Sequence, residues 1–222
     1  VIVKAMSREE QAPRGLLISF EGVDGAGKSS HVEGLAAELR GAGRDVVTLR
    51  EPGGTPLGER VRELLLDAEL ERSPRAELLL FQVARAELVA ERIRPALAAG
   101  AVVLIDRFSD STRAYQGWGL ELERGLVEDA LRLATGGLEP DLVILLDLEP
   151  ARGLRRVNSA GKRHDAIESR RRDFLERVRR GYLELARREP ERWLVVDADR
   201  PPAAVAAAVS GRVRRLLDGE DR

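Results

Sequence analysis

Five short apolar runs punctuate the chain, each ending in a turn or a polar residue: LLISF (16–20), DVVTL (45–49), VVLID (102–106), LVILLD (142–147) and WLVVD (193–197). Continuous rather than alternating apolarity is the mark of strands buried on both faces. Between them the apolar positions switch to a helical period, predicting helices over 29–42, 56–67, 74–99, 124–135, 150–157, 168–189 and 202–217. Strands separated throughout by helices imply a parallel sheet covered by helices, because parallel neighbours need long right-handed crossovers. In such sheets ligands gather beyond the carboxyl ends of the strands. No internal repeat or low-complexity linker interrupts the pattern, so residues 16–218 read as one domain. The first fifteen residues, VIVKAMSREEQAPRG, carry no periodic pattern and no signal-peptide core. They read as a flexible leader or an added remnant.

Composition narrows the choice of chemistry. Among 222 residues there are 37 basic and 38 acidic side chains, so no net field draws the molecule to nucleic acid or acidic lipid. No apolar run approaches the roughly twenty residues that cross a bilayer, and a cytoplasmic protein is expected. With no cysteine and only His31 and His164, disulfide frameworks, thiolate zinc sites and cysteine nucleophiles are excluded. Both histidines are expected at the surface without a role. Only three of the 37 basic residues are lysines, Lys4, Lys28 and Lys162. A lysine in this arginine-rich chain therefore calls for a chemical reason.

Lys28 lies in FEGVDGAGKSS, where Gly22 to Ser29 matches G-x-x-x-x-G-K-[ST] between a predicted strand and a predicted helix. Glycines let the N–H groups of residues 22 to 30 (Gly22, Val23, Asp24, Gly25, Ala26, Gly27, Lys28, Ser29, Ser30) turn inward around phosphates, and the following helix adds its positive end. Lys28 is expected at the β- and γ-phosphates of a nucleotide, and Ser29 at magnesium. The fold class is thus a three-layer P-loop NTPase: a five-stranded parallel sheet flanked by helices. The loop leaves the acceptor open, although the missing N-K-x-D and D-x-x-G motifs weaken a GTPase and favour a kinase for a small acceptor.

Acceptor candidates cluster on the same rim. The second strand ends in REPGGT (50–55), where Arg50 can grip a phosphate as a fork and Glu51–Pro52 admits a cis peptide. The third strand delivers Asp106, a magnesium carboxylate, and Arg107, which can bridge donor and acceptor phosphates. Asp147 ends the fourth strand similarly; Asp106 is preferred because Arg107 stands beside it. Phe81 and Arg85, at i and i+4, can stack on a base and hydrogen-bond its edge. STRAYQG (111–117) supplies hydroxyls, a phenol and an amide for base and sugar, or else a helix cap.

Taken in order, FEGVDGAGKSS, REPGGT, Asp106-Arg107-Phe108, LLLFQVAR and STRAYQG resemble thymidylate kinase over nearly the whole chain from Leu16 to Leu217. The resemblance implies transfer of the γ-phosphoryl of ATP to dTMP with magnesium, and a homodimer. It places the donor at Lys28, Ser29 and the loop, the acceptor phosphate at Arg50 and Arg107, thymine at Phe81 and Arg85, and Ser111 or Thr112 nearby. Asp24 falls near the deoxyribose 3′ hydroxyl, Tyr115 where a ring disfavours ribose, and Gln116 at the acceptor site.

By the same resemblance a lid spans about 157–168, around NSAGKRHDAIE. Lys162 and Arg163 are its candidate catalytic cations, closing over the donor phosphates. Eukaryotic-type members carry arginine where Gly25 stands, so this chain resembles the bacterial type, whose lid supplies that charge. Asp165-Ala166-Ile167-Glu168 lacks an arginine that the family often has there, which leaves Lys162, Arg163 and Arg156 open as the donor-side cation. The arginines at 170–172, with Arg177, Arg179 and Arg180, are interleaved with acids and read as a solvated helix face.

Overall fold

A computed structural model describes residues 15–159 and 172–219. The five expected strands are present: β1 Leu17–Glu21, β2 Val46–Arg50, β3 Val102–Asp106, β4 Leu142–Asp147 and β5 Trp193–Asp197. They form one sheet in the order β2-β3-β1-β4-β5 with every pair parallel. The three central strands are the most apolar and the most buried, as sheet strands covered on both faces must be.

Helices cover both faces. On one side α1 (Lys28–Gly41) and α9 (Pro202–Asp218) pack Val32, Leu35, Val205 and Val209 against Ile18, Phe20, Leu104 and Ile144. On the other, Leu88, Ile93 and Leu97 meet Leu17, Val103 and Ile105, while α8 (Arg172–Arg188) sets Phe174, Val178 and Tyr182 against Val143 and Leu145. Helix α2 (Pro56–Leu66) and helix α3 (Pro74–Leu88) both open on a hydroxyl N-cap followed by proline. Thr55 accepts from the Gly58 N–H and Ser73 from the Ala76 N–H. Helix α6 (Arg124–Thr135) ends where expected, at Gly136 with φ 58°.

Two stretches depart from the expected pattern. The single helix expected over 74–99 is α3, then a π turn at Val89–Ile93, then α4 at Arg94–Ala98. Pro95 has no N–H to give a regular α-helical ladder, and the wider turn, closed by the Arg94 N–H on the Val89 carbonyl, carries the chain past it. STRAYQG is neither a loop nor only a cap. It winds from α5 (Ser109–Thr112) into a second π segment, Arg113–Gly119, closed by the Leu120 N–H on the Tyr115 carbonyl. Helix α7 (Pro150–Ser159) completes the set. The greater part of the expected lid lies outside the described residues, and so do Lys162 and Arg163. No helix among the described residues is long and apolar enough to cross a membrane.

Candidate active site

The carboxyl ends of β1, β2 and β3 open into a cleft of about 520 Å³. The β1–α1 turn forms its floor. Gly22, Gly25 and Gly27 hold φ of 134°, 79° and 91°, which side chains rarely adopt. Val23 and Ala26 turn into the core and anchor the loop. Helix α1 begins with no side-chain cap, so its first N–H groups face the cleft as an anion site. Buried Lys28 donates from Nζ to the carbonyls of Gly22 and Val23, 3.1 Å each, and lies 3.7 Å from Asp24. Burial and Arg107 push its pKa down from the lysine value, against the pull of Asp24, Asp106 and Glu21. A phosphate arriving here relieves a desolvated cation.

Arg107 commands the rim. Its backbone is left-handed, φ 72°, and its guanidinium reaches the loop at Asp24. Nη2 donates to Asp24 Oδ1 at 2.5 Å and to the Tyr115 hydroxyl at 3.3 Å; Nη1 donates to Ser111 Oγ at 3.2 Å and to the Tyr182 hydroxyl at 3.3 Å. Burial opposes ionisation of Asp24, but Arg107 and Lys28 outweigh it and hold the carboxyl below its usual range. Arg50 is 58% exposed, paired only loosely with Glu59 at 3.2 Å, and lines the cleft.

Phe81, Arg85, Ser111, Thr112, Tyr115 and Gln116 all line the other arm of the cleft. The π segment achieves this by wrapping Tyr115 and Gln116 round to the same side as Ser111 and Thr112. Arg85 is 1% exposed. Nε donates to both Glu51 oxygens, Nη2 to Glu51 and the Phe108 carbonyl, and Nη1 to Gln82 and Thr112. Its N–H groups all meet protein acceptors, so a base carbonyl arriving here must share one of them.

Against known proteins, a profile of the family described as "Thymidylate kinase" matches residues 20–209. The chain is 50% identical over 200 residues to a thymidylate kinase of Thermomicrobium roseum, covering 90% of this chain and 95% of the relative. It is 49% identical over 203 residues to one of Deinococcus radiodurans, covering 90% and 98%. The crystal structure of thymidylate kinase from Ehrlichia chaffeensis superposes with a TM-score of 0.74 at 31% identity, covering 91% of this chain and all of that one.

The chain belongs to the thymidylate kinase family.

For a family of ATP- and magnesium-dependent kinases the donor oxygens fit. Ser29 Oγ donates to Asp106 Oδ2 at 2.5 Å, which puts a hydroxyl and a carboxylate side by side at the loop. Magnesium characteristically takes one or two such hard oxygens and leaves its other positions to phosphate and water. Asp147, the alternative carboxylate, is held by Arg179 through two bonds of 2.6 and 2.8 Å and does not line the cleft.

Several features of this kinase escape a reading of its sequence. Gly25 is closed to any side chain: a Cβ there would lie 2.4 Å from the Gly153 carbonyl oxygen, and one on Gly153 would lie 2.3 Å from that of Asp24. Helix α7 thus packs backbone to backbone on the phosphate loop. From the same helix Arg156, one of the three cations the sequence leaves open, lines the cleft and donates to the carbonyls of Gly25 and Ala198. Arg62 and Leu66 also line it, with no sequence signal to point to them; Glu51 and Pro52, noted in the sequence only for the peptide between them, line it too, and that peptide is cis. Only part of the arginine-rich stretch is a solvated face. Arg177 and Arg179 turn inward to the Gly119 carbonyl and to Asp147. His31 is half-buried beside Gly27, and His164 lies outside the described residues.

Proposed function

We propose that the two arms of this cleft hold ATP and dTMP with their phosphates meeting between Lys28 and Arg107. The observation that carries this reading is the continuity of the cleft. One cavity is lined by the loop, by both rim arginines and by the Phe81, Thr112, Tyr115 and Gln116 group. The kinase transfers the γ-phosphoryl of ATP to dTMP. An oxygen of the acceptor phosphate bonds to Pγ as the bridging bond to the β-phosphate breaks, giving dTDP and ADP. The acceptor oxygen is already ionised, so no strong general base is required and the residues act by alignment and charge neutralisation.

On this reading the N–H groups of residues 22–30 and Lys28 seat the donor phosphates. Arg107 and Arg50 grip the acceptor phosphate, and Asp24 and Tyr115 bound the sugar. The base stacks on Phe81 between Arg85, Thr112 and Gln116, with Ser111 behind them. Ser29 and Asp106 would hold magnesium, which would supply charge neutralisation at the donor phosphates. Lys162 and Arg163 stay as lid candidates for the donor-side cation, together with Arg156 on α7. As part of the same proposal residues 16–218 act as one kinase domain, in the cytoplasm, as a homodimer. Exposed Leu57 and Leu64 on α2 and Leu79 and Val83 on α3 offer apolar surface on two packed helices for such a contact.

A coupled ADP-release assay across nucleoside monophosphates tests the assignment. Turnover should be highest with dTMP; equal or better turnover with AMP, CMP or GMP would overturn the acceptor reading. Lys28→Ala should lower kcat by two or more orders of magnitude, if removing one charge stabiliser costs about 3 kcal/mol. Arg50→Ala should raise the KM for dTMP more than that for ATP, and an effect confined to ATP would put Arg50 on the wrong side.

A further inference from the structure

Beneath Arg107, outside the cleft lining, lies a buried carboxylate that the phosphoryl-transfer chemistry does not use. Glu21 ends β1 and is 0% exposed. Three donors converge on it: the Phe108 N–H on Oε1 at 2.8 Å, and on Oε2 the hydroxyls of Ser111 at 2.5 Å and Tyr182 at 3.0 Å. These two hydroxyls lie 2.8 Å apart, and both accept from Nη1 of Arg107. Tyr182 comes from α8 and is 1% exposed.

The direction of these bonds matters. A hydroxyl has one proton and two lone pairs. With its proton given to Glu21, each hydroxyl turns lone pairs toward the guanidinium. Arg107 Nη1 is thus held by two polarised acceptors, and Nη2 by Asp24 and Tyr115 on the other side. The guanidinium is fixed in angle as well as position by these four acceptors, on a residue whose backbone is itself held in the left-handed region.

We propose that Glu21 and Tyr182 are positioning residues that aim the Arg107 guanidinium at the acceptor phosphate. The proposal rests on the reading of Arg107 given above. Neither residue touches substrate; both act through the arginine, and Tyr182 makes α8 part of the acceptor site.

The test is a mutant cycle in the full-length enzyme. Tyr182→Phe removes one hydroxyl from a buried site without changing ring volume. Losing one hydrogen bond to a charged group should lower kcat/KM for dTMP about tenfold, with the KM for ATP unchanged within twofold. Binding of thymidine, which lacks the phosphate, should not change in isothermal titration, whereas dTMP binding should weaken by the same tenfold. In an Arg107→Ala background Tyr182→Phe should have no further effect on either. Glu21→Gln, with one acceptor atom where three donors converge, should behave like a stronger Tyr182→Phe. If it fails to fold, Tyr182→Phe carries the test alone. Equal losses for thymidine and dTMP, or an undiminished loss in the Arg107→Ala background, would overturn the positioning role. So would a harmful Arg107→Ala combined with a harmless Tyr182→Phe. If Arg107→Ala itself leaves kcat/KM for dTMP within threefold, the acceptor-phosphate reading of Arg107 fails first and takes this proposal with it.

Discussion

The contact between Gly25 and Gly153 offers a sharp perturbation, because a single methyl group there sets two effects against each other. Gly153 lies within α7, where replacing glycine by alanine favours the helix by about 1 kcal/mol. The same methyl would stand 2.3 Å from the Asp24 carbonyl oxygen, a backbone atom that cannot swing aside as a long side chain would. Carbon and oxygen rarely approach closer than about 3.3 Å, so loop and helix must part by roughly 1 Å. Either the phosphate loop then leaves its place over Lys28, or α7 carries Arg156 away from the cleft. A displacement of about 1 Å at a reacting centre costs on the order of a hundredfold in rate. Gly153→Ala is therefore expected to keep a melting temperature near that of the parent while kcat falls by about two orders of magnitude. Steady-state kinetics with each substrate varied in turn, beside a thermal melt, would check it. A kcat within threefold of the parent, or a loss of activity matched by a loss of fold, would refute the claim that this contact registers the loop against α7. Gly25→Ala should be worse on both counts, since a φ of 79° adds backbone strain to the same clash.

Burial, with Asp110 beside it, pushes the Glu21 carboxyl up to about 7, against the pull of Ser111, Arg107 and the Phe108 N–H. The folded state therefore binds this proton more tightly than the unfolded chain does, and its contribution is present below about pH 4.5 and lost as pH rises through about 7. Urea unfolding at pH 5 to 8 should show the parent losing up to a few kcal/mol relative to Glu21→Gln across that window; parallel pH profiles would contradict it. Leu79→Lys combined with Val83→Lys should convert a dimer to a monomer in sedimentation velocity at micromolar concentration, and an unchanged sedimentation coefficient would remove α3 from the interface. Asp147→Asn should cost stability through the loss of its paired bonds to Arg179 while leaving the magnesium dependence of turnover unchanged; a shifted magnesium requirement would reopen its claim against Asp106.

What could be read directly from the chain was whatever is local. The strands announce themselves because their runs are largely apolar, most fully in the three central ones that are buried on both faces, and the phosphate loop because its glycines, lysine and serine are contiguous. Asp106 and Arg107 were legible as the residues that follow an apolar strand. Glu21 was not, because its meaning depends on Ser111 and Tyr182, 90 and 161 residues away. Glu51 stood inside a noticed motif, yet its partner Arg85 lies 34 positions on and was assigned to the base alone. The π segment at Arg113–Gly119 has no periodicity of its own, since five-residue bonding spoils the 3.6-residue repeat by which helices are found. Arg177 and Arg179 look identical in sequence to their exposed neighbours; only the packing of α8 separates them.

The strand order also bears on how the polypeptide is made. Since β1 borders β3 and β4, and β2 borders only β3, none of the native strand pairs exists within the first hundred residues. A chain emerging from the ribosome holds two apolar strands with nothing to pair with until Val102–Asp106 appears and joins both at once. The strand whose end supplies Asp106 and Arg107 is thus the one that closes the first half of the sheet. During synthesis, the phosphate loop gains its supporting neighbour and the rim of the cleft gains Arg107 in a single event.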